Sequence, residues 1–143
     1  FDSWAGVLPE AQFRRFVIAP TKRIVEALRR DHPGVPVIGF PRGAGMMYPT
    51  YFVETGVNAV SLDQTVPLEL ARSTLQPLGA VQGNLDPLLL VQGGAAMEHA
   101  AADILRAFAA GPFIFNLGHG VVPNTPPEHV QALIDFVHRH GAS

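Results

Sequence analysis

The chain has 143 residues, of which 48% are hydrophobic and 15% charged, with a formal net charge of −2. That apolar fraction supports a packed core and excludes a disordered chain, and the charge leaves no basic footprint for nucleic acid. No apolar run reaches the roughly 18 residues of a transmembrane helix, and with no cysteine the chain has no disulfide, thiolate metal site or cysteine nucleophile.

In chain order, Phe1-Asp2-Ser3-Trp4 reads as the tail of a strand already under way, so the numbering is expected to start inside a larger protein. A helical stretch from about residue 10 to residue 30 follows. It contains Pro20, which predicts a kink there or two helices. Short apolar runs bounded by Gly or Pro come next, at residues 35–40, 57–63, 79–84 and 112–117, and each reads as a buried parallel strand. Before the last of them, Met97, Ala101, Ile104, Leu105 and Phe108 recur at helical spacing, and Gly111 ends the helix. The closing helix has Val130, Leu133, Ile134 and Val137 as its apolar stripe. Thr125 is predicted as its N-cap, with Pro126 at the first helical position, Glu128 completing a capping box and Gly141 closing it. Phe13, Phe16, Phe108 and Met97 are expected in the core. The alternation predicts an α/β protein with a parallel sheet, as a single partial domain over residues 1–143. Periodicity does not choose between an open doubly wound sheet and a barrel.

Chemistry in such folds collects at the C-terminal ends of the strands. Here those ends hold Asp2 and Ser3, then Arg42 with Gly43 and Gly45, then Asp63 and Thr65, then Asn84 and Asp86, and last Asn116, Gly118, His119 and Gly120. The turns before the strands hold ordinary breakers such as Pro33-Gly34 and Gly111-Pro112. The asymmetry marks one rim as a site. His119, between two glycines, either bonds a ligand or caps a neighbouring strand. Ser3 is either a carboxylate donor or a turn residue. Arg42 binds an acidic group or is a solvated loop charge. Asp63 lines a pocket or caps the helix beginning near Pro67. Asn84 and Asp86 are expected to set the turn before Pro87. His129, His138 and His140 share no tight metal face and are expected in solvent, and His32 and His99 on the surface. Gly43-Ala44-Gly45 with Asp63 at the next strand end imitates a dinucleotide fingerprint, but position 48 is Tyr48 rather than the third glycine.

The strand-end segments carry more than their separate residues. Phe1-Asp2-Ser3-Trp4-Ala5-Gly6, Phe40-Pro41-Arg42-Gly43-Ala44-Gly45, Gly56-Val57 through Leu62-Asp63, Gln82-Gly83-Asn84-Leu85-Asp86-Pro87 and Asn116-Leu117-Gly118-His119-Gly120 resemble, in order and spacing, successive signatures of the uroporphyrinogen decarboxylase family. The resemblance implies the second half of a (β/α)8 TIM barrel, parallel strands with helices outside. It implies loss of CO2 from the four acetate side chains of uroporphyrinogen to give coproporphyrinogen, in a cytoplasmic homodimer with no cofactor and no metal. It makes Ser3 and His119 substrate-binding residues, and the reading of the residues themselves keeps Arg42 and Asp63 as further candidate rim contributors. The family's pyrrole-binding aspartate, a tyrosine and an arginine-rich segment belong N-terminal to Phe1, so no catalytic residue is expected here and this chain is expected to be inactive alone. Where the family often shows Leu-Asp-Trp-Thr, this chain has Leu62-Asp63-Gln64-Thr65. Two rivals from the same superfamily are a zinc-dependent methyltransferase, which the lack of cysteine disfavours, and a non-catalytic tetrapyrrole-binding barrel. A nucleotide-binding open sheet is a third.

Overall fold

The computed structural model describes residues 1–141, so the last two residues of the expected 1–143 unit lie outside the described residues. The long N-terminal helical stretch is continuous. Helix α1 (Glu10–Phe13) passes through a π-helical turn (Arg14–Ile18) into α2 (Ala19–Asp31). The sequence predicted a kink or a break at Pro20. Instead the helix widens just before the proline. Pro20 cannot donate to the carbonyl one turn back, and a wider turn takes up that misfit without ending the helix.

Strand β1 (Ile38–Gly39) leads to α3 (Tyr48–Thr55), β2 (Ala59–Ser61), the short α4 (Leu68–Leu70), β3 (Ala80–Leu85), α5 (Pro87–Gln92), α6 (Gly94–Phe108), β4 (Phe113–Leu117) and α7 (Pro127–His140). All the strand pairs are parallel and the spatial order is β1-β2-β3-β4. The initial strand end joins the same sheet. Asp2 bridges Pro41 in parallel, with the Asp2 N–H on the Phe40 carbonyl at 2.9 Å and the Arg42 N–H on the Asp2 carbonyl at 3.0 Å.

This order decides what periodicity left open. Crossovers between parallel strands are right-handed. When every crossover steps to the next strand in the same direction, all the helices fall on one face. A doubly wound sheet must instead reverse direction at a switch point, where it binds its nucleotide. No reversal occurs among the described residues, so the dinucleotide reading of Gly43, Gly45 and Asp63 loses its structural context.

Register sets Val60 beside Val81 and Val81 beside Phe113 on the helix-covered face, and Val60 and Val81 are 0% exposed. Phe113 stacks on Phe108 of α6 with ring centroids 4.8 Å apart. Of the stripe read from the sequence, Met97, Ala101, Ile104 and Phe108 are buried there and Leu105 is partly buried. Ser61, Gln82 and Ile114 alternate onto the opposite face, and Gln82 Nε2 donates to Ser61 Oγ at 3.2 Å.

Some predicted details differ. Phe16 is 57% exposed, its ring under the Arg15 guanidinium rather than in the core. Its neighbours Val17 and Ile18 take the buried side instead, because the π turn rotates this part of the helix. The cap of α7 is Pro126, with no side-chain cap hydrogen bond, so the Thr125–Glu128 box is not formed. Two consecutive prolines place Pro126 in an extended conformation, which starts the helix at Pro127 and moves Thr125 outside it. Leu133 and Phe136 are the buried residues of α7, while Ile134 stays exposed. Among the described residues, no helix is long and apolar enough to cross a membrane.

Candidate functional site

The rim is assembled by close backbone contacts between loops that leave successive strands. Gly6 and Gly43 meet so tightly that a Cβ on Gly6 would lie 2.2 Å from the Gly43 carbonyl oxygen. Gly43 itself has φ +74°, a conformation that favours glycine. On the other side, a Cβ on Gly118 would lie 2.3 Å from the Gln64 backbone nitrogen. These contacts lock the initial segment to the loop after β1, and the loop after β4 to the loop after β2.

Asp63 joins the loops after β1 and β2 through its side chain. Its Oδ2 accepts from the Gly43 N–H at 2.7 Å and the Tyr48 hydroxyl at 2.8 Å. Its Oδ1 accepts from the Thr65 N–H at 2.9 Å and from the Thr65 hydroxyl. The residue is 2% exposed. Burial by itself pushes the carboxyl pKa up, but the Thr65 hydroxyl, the two N–H groups and Tyr48 outweigh it and hold the pKa below the ordinary carboxylate value. Burial, with the Asp63 carboxylate close by, pushes the Tyr48 hydroxyl pKa well up, so it stays a donor. Of the alternatives left by the sequence, Asp63 borders a cavity and closes the turn at residues 63–66, while the N-cap of α4 is Pro67. Asn84 adds a further tie, donating to the Asp63 and Val66 carbonyls at 3.0 and 2.9 Å. Asp86 Oδ1 accepts from the Leu88 N–H at 2.9 Å and caps α5, the turn role read for it.

Two adjoining cavities open on this rim. One, of about 260 Å3, is lined by Ser3, Arg42, Asp63, Gln64 and Thr65 among others. The other, of about 390 Å3, is lined by Arg42, Gln64, Asp86, Leu88 and His119 among others. They share Arg42 and Gln64. Ser3 and His119, 116 positions apart in sequence, are thus brought to neighbouring hollows. Arg42 is the one Lys or Arg lining either hollow among the described residues.

His119 Nδ1 accepts from the Gly120 N–H at 2.5 Å. That bond puts the proton of a neutral ring on Nε2 and leaves Nε2 as a donor. The ring stands edge-on to Phe1 and Phe40, with centroids 5.8 and 6.4 Å away, and the two phenylalanines lie 4.9 Å apart. Phe1 precedes the first bridge and His119 follows the last strand, so the sheet curls enough for its two ends to touch across the concave face.

The aromatic contacts of His119 were not read from the sequence. Phe1 and Phe40 each lie at a strand end beside a predicted site residue, and that position was the available signal. Nor was Gln64 assigned a place. His129 was expected in solvent but is part-buried, with Nδ1 3.1 Å from the Leu90 and Val91 carbonyls at the end of α5. Its spacing from Leu133 and Phe136, on the buried face of α7, was the signal for it. His138 and His140 also lie apart from the rim. His140 stacks on Phe136 at 4.1 Å, and His138 borders a groove between β4 and α7. No group of three or more potential metal ligands occurs among the described residues.

The uroporphyrinogen decarboxylase (URO-D) family matches residues 1–140. The chain is 62% identical over 137 residues to a uroporphyrinogen decarboxylase of Rhodospirillum rubrum, covering 96% of this chain and 39% of that protein. It is 54% identical to one from Chelativorans sp. strain BNC1 and 53% identical to one from Mesorhizobium japonicum, covering 96% of this chain and 40% of each relative. The chain therefore spans about two-fifths of the length of these curated relatives.

Proposed function

Since this chain belongs to the uroporphyrinogen decarboxylase family, we propose that in a protein of its relatives' full length it forms the substrate-binding half of a decarboxylase. Its one-sided parallel sheet is part of the (β/α)8 barrel of that family. The reaction is removal of CO2 from the four acetate side chains of uroporphyrinogen, giving coproporphyrinogen. The enzyme is a carbon–carbon lyase that works without added cofactor, as a cytoplasmic homodimer.

The chemistry fits the residue types on the rim. Each step breaks the bond between an acetate methylene and its carboxyl group. The electron pair passes into a protonated pyrrole ring, CO2 leaves, the methylene carbon takes a proton, and the ring releases the proton it had gained, which restores the neutral pyrrole. The ring is the electron sink, so the protein's tasks are to orient the substrate and to hold its carboxylates. Ser3 and His119 donate hydrogen bonds to the substrate, and Arg42 supplies positive charge between them. Asp63 contributes by holding the Arg42 loop in place. No residue of this chain is assigned the proton transfers. The observation that carries the reading is the convergence of Ser3 and His119 on two hollows that share Arg42.

The test uses a chain of the relatives' full length that carries this segment. His119→Ala and His119→Asn should each lower kcat/KM for uroporphyrinogen by about one to two decades, the scale of a charge-assisted hydrogen bond. Tm should stay at the parent value. Unchanged kcat/KM in a stable variant would overturn the binding role, and lost Tm with normal kinetics would make His119 a structural residue.

A further inference from the structure

Gln64 borders three hollows of the rim. It lines the cavity holding Ser3, the cavity holding His119, and a third of about 310 Å3 against Asn84 and Asp86. Only Arg42 shares both of the first two with it, and Arg42 does not line the third. The backbone of Gln64 is held from both sides. Its nitrogen packs against Gly118, where a methyl group would not fit, and its neighbours Asp63 and Thr65 bond each other across it. A residue fixed so firmly presents its side chain at a set place.

The amide has not been used up by the fold. Gln64 Oε1 is enclosed and has no hydrogen-bond partner. An enclosed amide oxygen without a partner costs free energy, so a residue chosen only for packing would more readily be apolar. Asn84, at the next strand end, leaves its Oδ1 in the same state but commits its Nδ2 to the Asp63 and Val66 carbonyls, whereas Gln64 Nε2 donates to no other residue among the described residues. A carboxamide brings two N–H donors without charge. A substrate carboxylate can accept from either of them.

We propose that Gln64 is a substrate-binding residue, whose carboxamide donates to a substrate carboxylate at the junction of the Ser3 and His119 hollows. The proposal rests on the decarboxylase reading above. It adds a neutral donor to a rim with a single cation, and it places that donor where a substrate reaching both hollows must pass.

The experiment is steady-state kinetics with uroporphyrinogen on the full-length chain, comparing parent, Gln64→Met and Gln64→Glu, each with its Tm. Met keeps the length of the side chain and removes both donors. Glu keeps the shape and sets a charge against the substrate's carboxylates. Q64M should raise KM about five- to tenfold with kcat within about twofold, and Q64E should raise KM further, both at parental Tm. A parental KM in folded Q64M overturns the proposal, even if Q64E is impaired, since charge repulsion alone requires only nearness. Where Q64M does not fold, Gln64→Leu, which also lacks the donors, takes its place with the same two outcomes. If the parent itself forms no coproporphyrinogen, the decarboxylase reading fails and this inference falls with it. If the parent turns over and both variants match it, this inference alone fails.

Discussion

Replacing Asp63 by Asn would keep the side chain's shape and turn one acceptor into a donor. Each carboxylate oxygen already receives two donors: Gly43 N–H and the Tyr48 hydroxyl on one, and the Thr65 N–H and hydroxyl on the other. An NH2 group in either place faces two donors inside a site that excludes water. Asp63→Asn should therefore destabilise the full-length protein by about 1–3 kcal/mol at pH 7. The pH dependence has a definite sign. The folded pKa lies below the ordinary 3.8, so the stability contributed is fully present above that value and is lost as pH falls through the folded pKa. Urea unfolding of parent and variant should show a gap that is constant near neutrality and narrows below about pH 4. A gap that stays constant into acid would mean that the charge on Asp63 is not what holds the loops. At this scale the sequence showed where His119 lies, since a polar residue between glycines at a strand end marked its place on the rim. It was less readable where a role depends on which partners converge from other loops, as for Asp63 and Gln64.

At the scale of elements, Thr125 separates a pattern from its realisation. A Thr, two prolines and a Glu before an apolar stripe have the form of a capping box, yet the helix starts at Pro127 and the Thr125 hydroxyl is buried without a partner. Thr125→Val should therefore leave Tm unchanged or raise it, by removing an enclosed polar group. A true N-cap would cost about 1 kcal/mol when lost. A thermal melt of the full-length variant distinguishes the two, and a clear drop in Tm would restore the capping role. The α/β alternation was legible because Gly and Pro bound every apolar run. The π turn before Pro20 was not, because a proline in a helical pattern is compatible with a kink, a break or a widened turn. Only the packing of the surrounding helix chooses among them.

The whole molecule was half legible. Alternation pointed to a parallel sheet, and the order β1-β2-β3-β4, which no local pattern encodes, makes it one-sided. The same order leaves the outer edge of β4 unpaired within the described residues. Ile114 and Ile134 are exposed, and an apolar groove of about 320 Å3 runs between β4 and α7. Unpaired edges and open apolar grooves favour association. The purified 143-residue chain should accordingly self-associate and form no coproporphyrinogen. A monomer with measurable turnover would mean that the chemistry has been misplaced.

The central claim, that these residues are a working substrate-binding half of a uroporphyrinogen decarboxylase, is tested most directly by exchange. The matching stretch of the Rhodospirillum rubrum relative, 62% identical over 137 residues, is replaced by this chain, and coproporphyrinogen formation from uroporphyrinogen is measured. With the rim residues intact, the chimera should keep kcat/KM within about tenfold of the parent enzyme. A chimera that folds with the parent's Tm but releases no coproporphyrinogen would contradict the account.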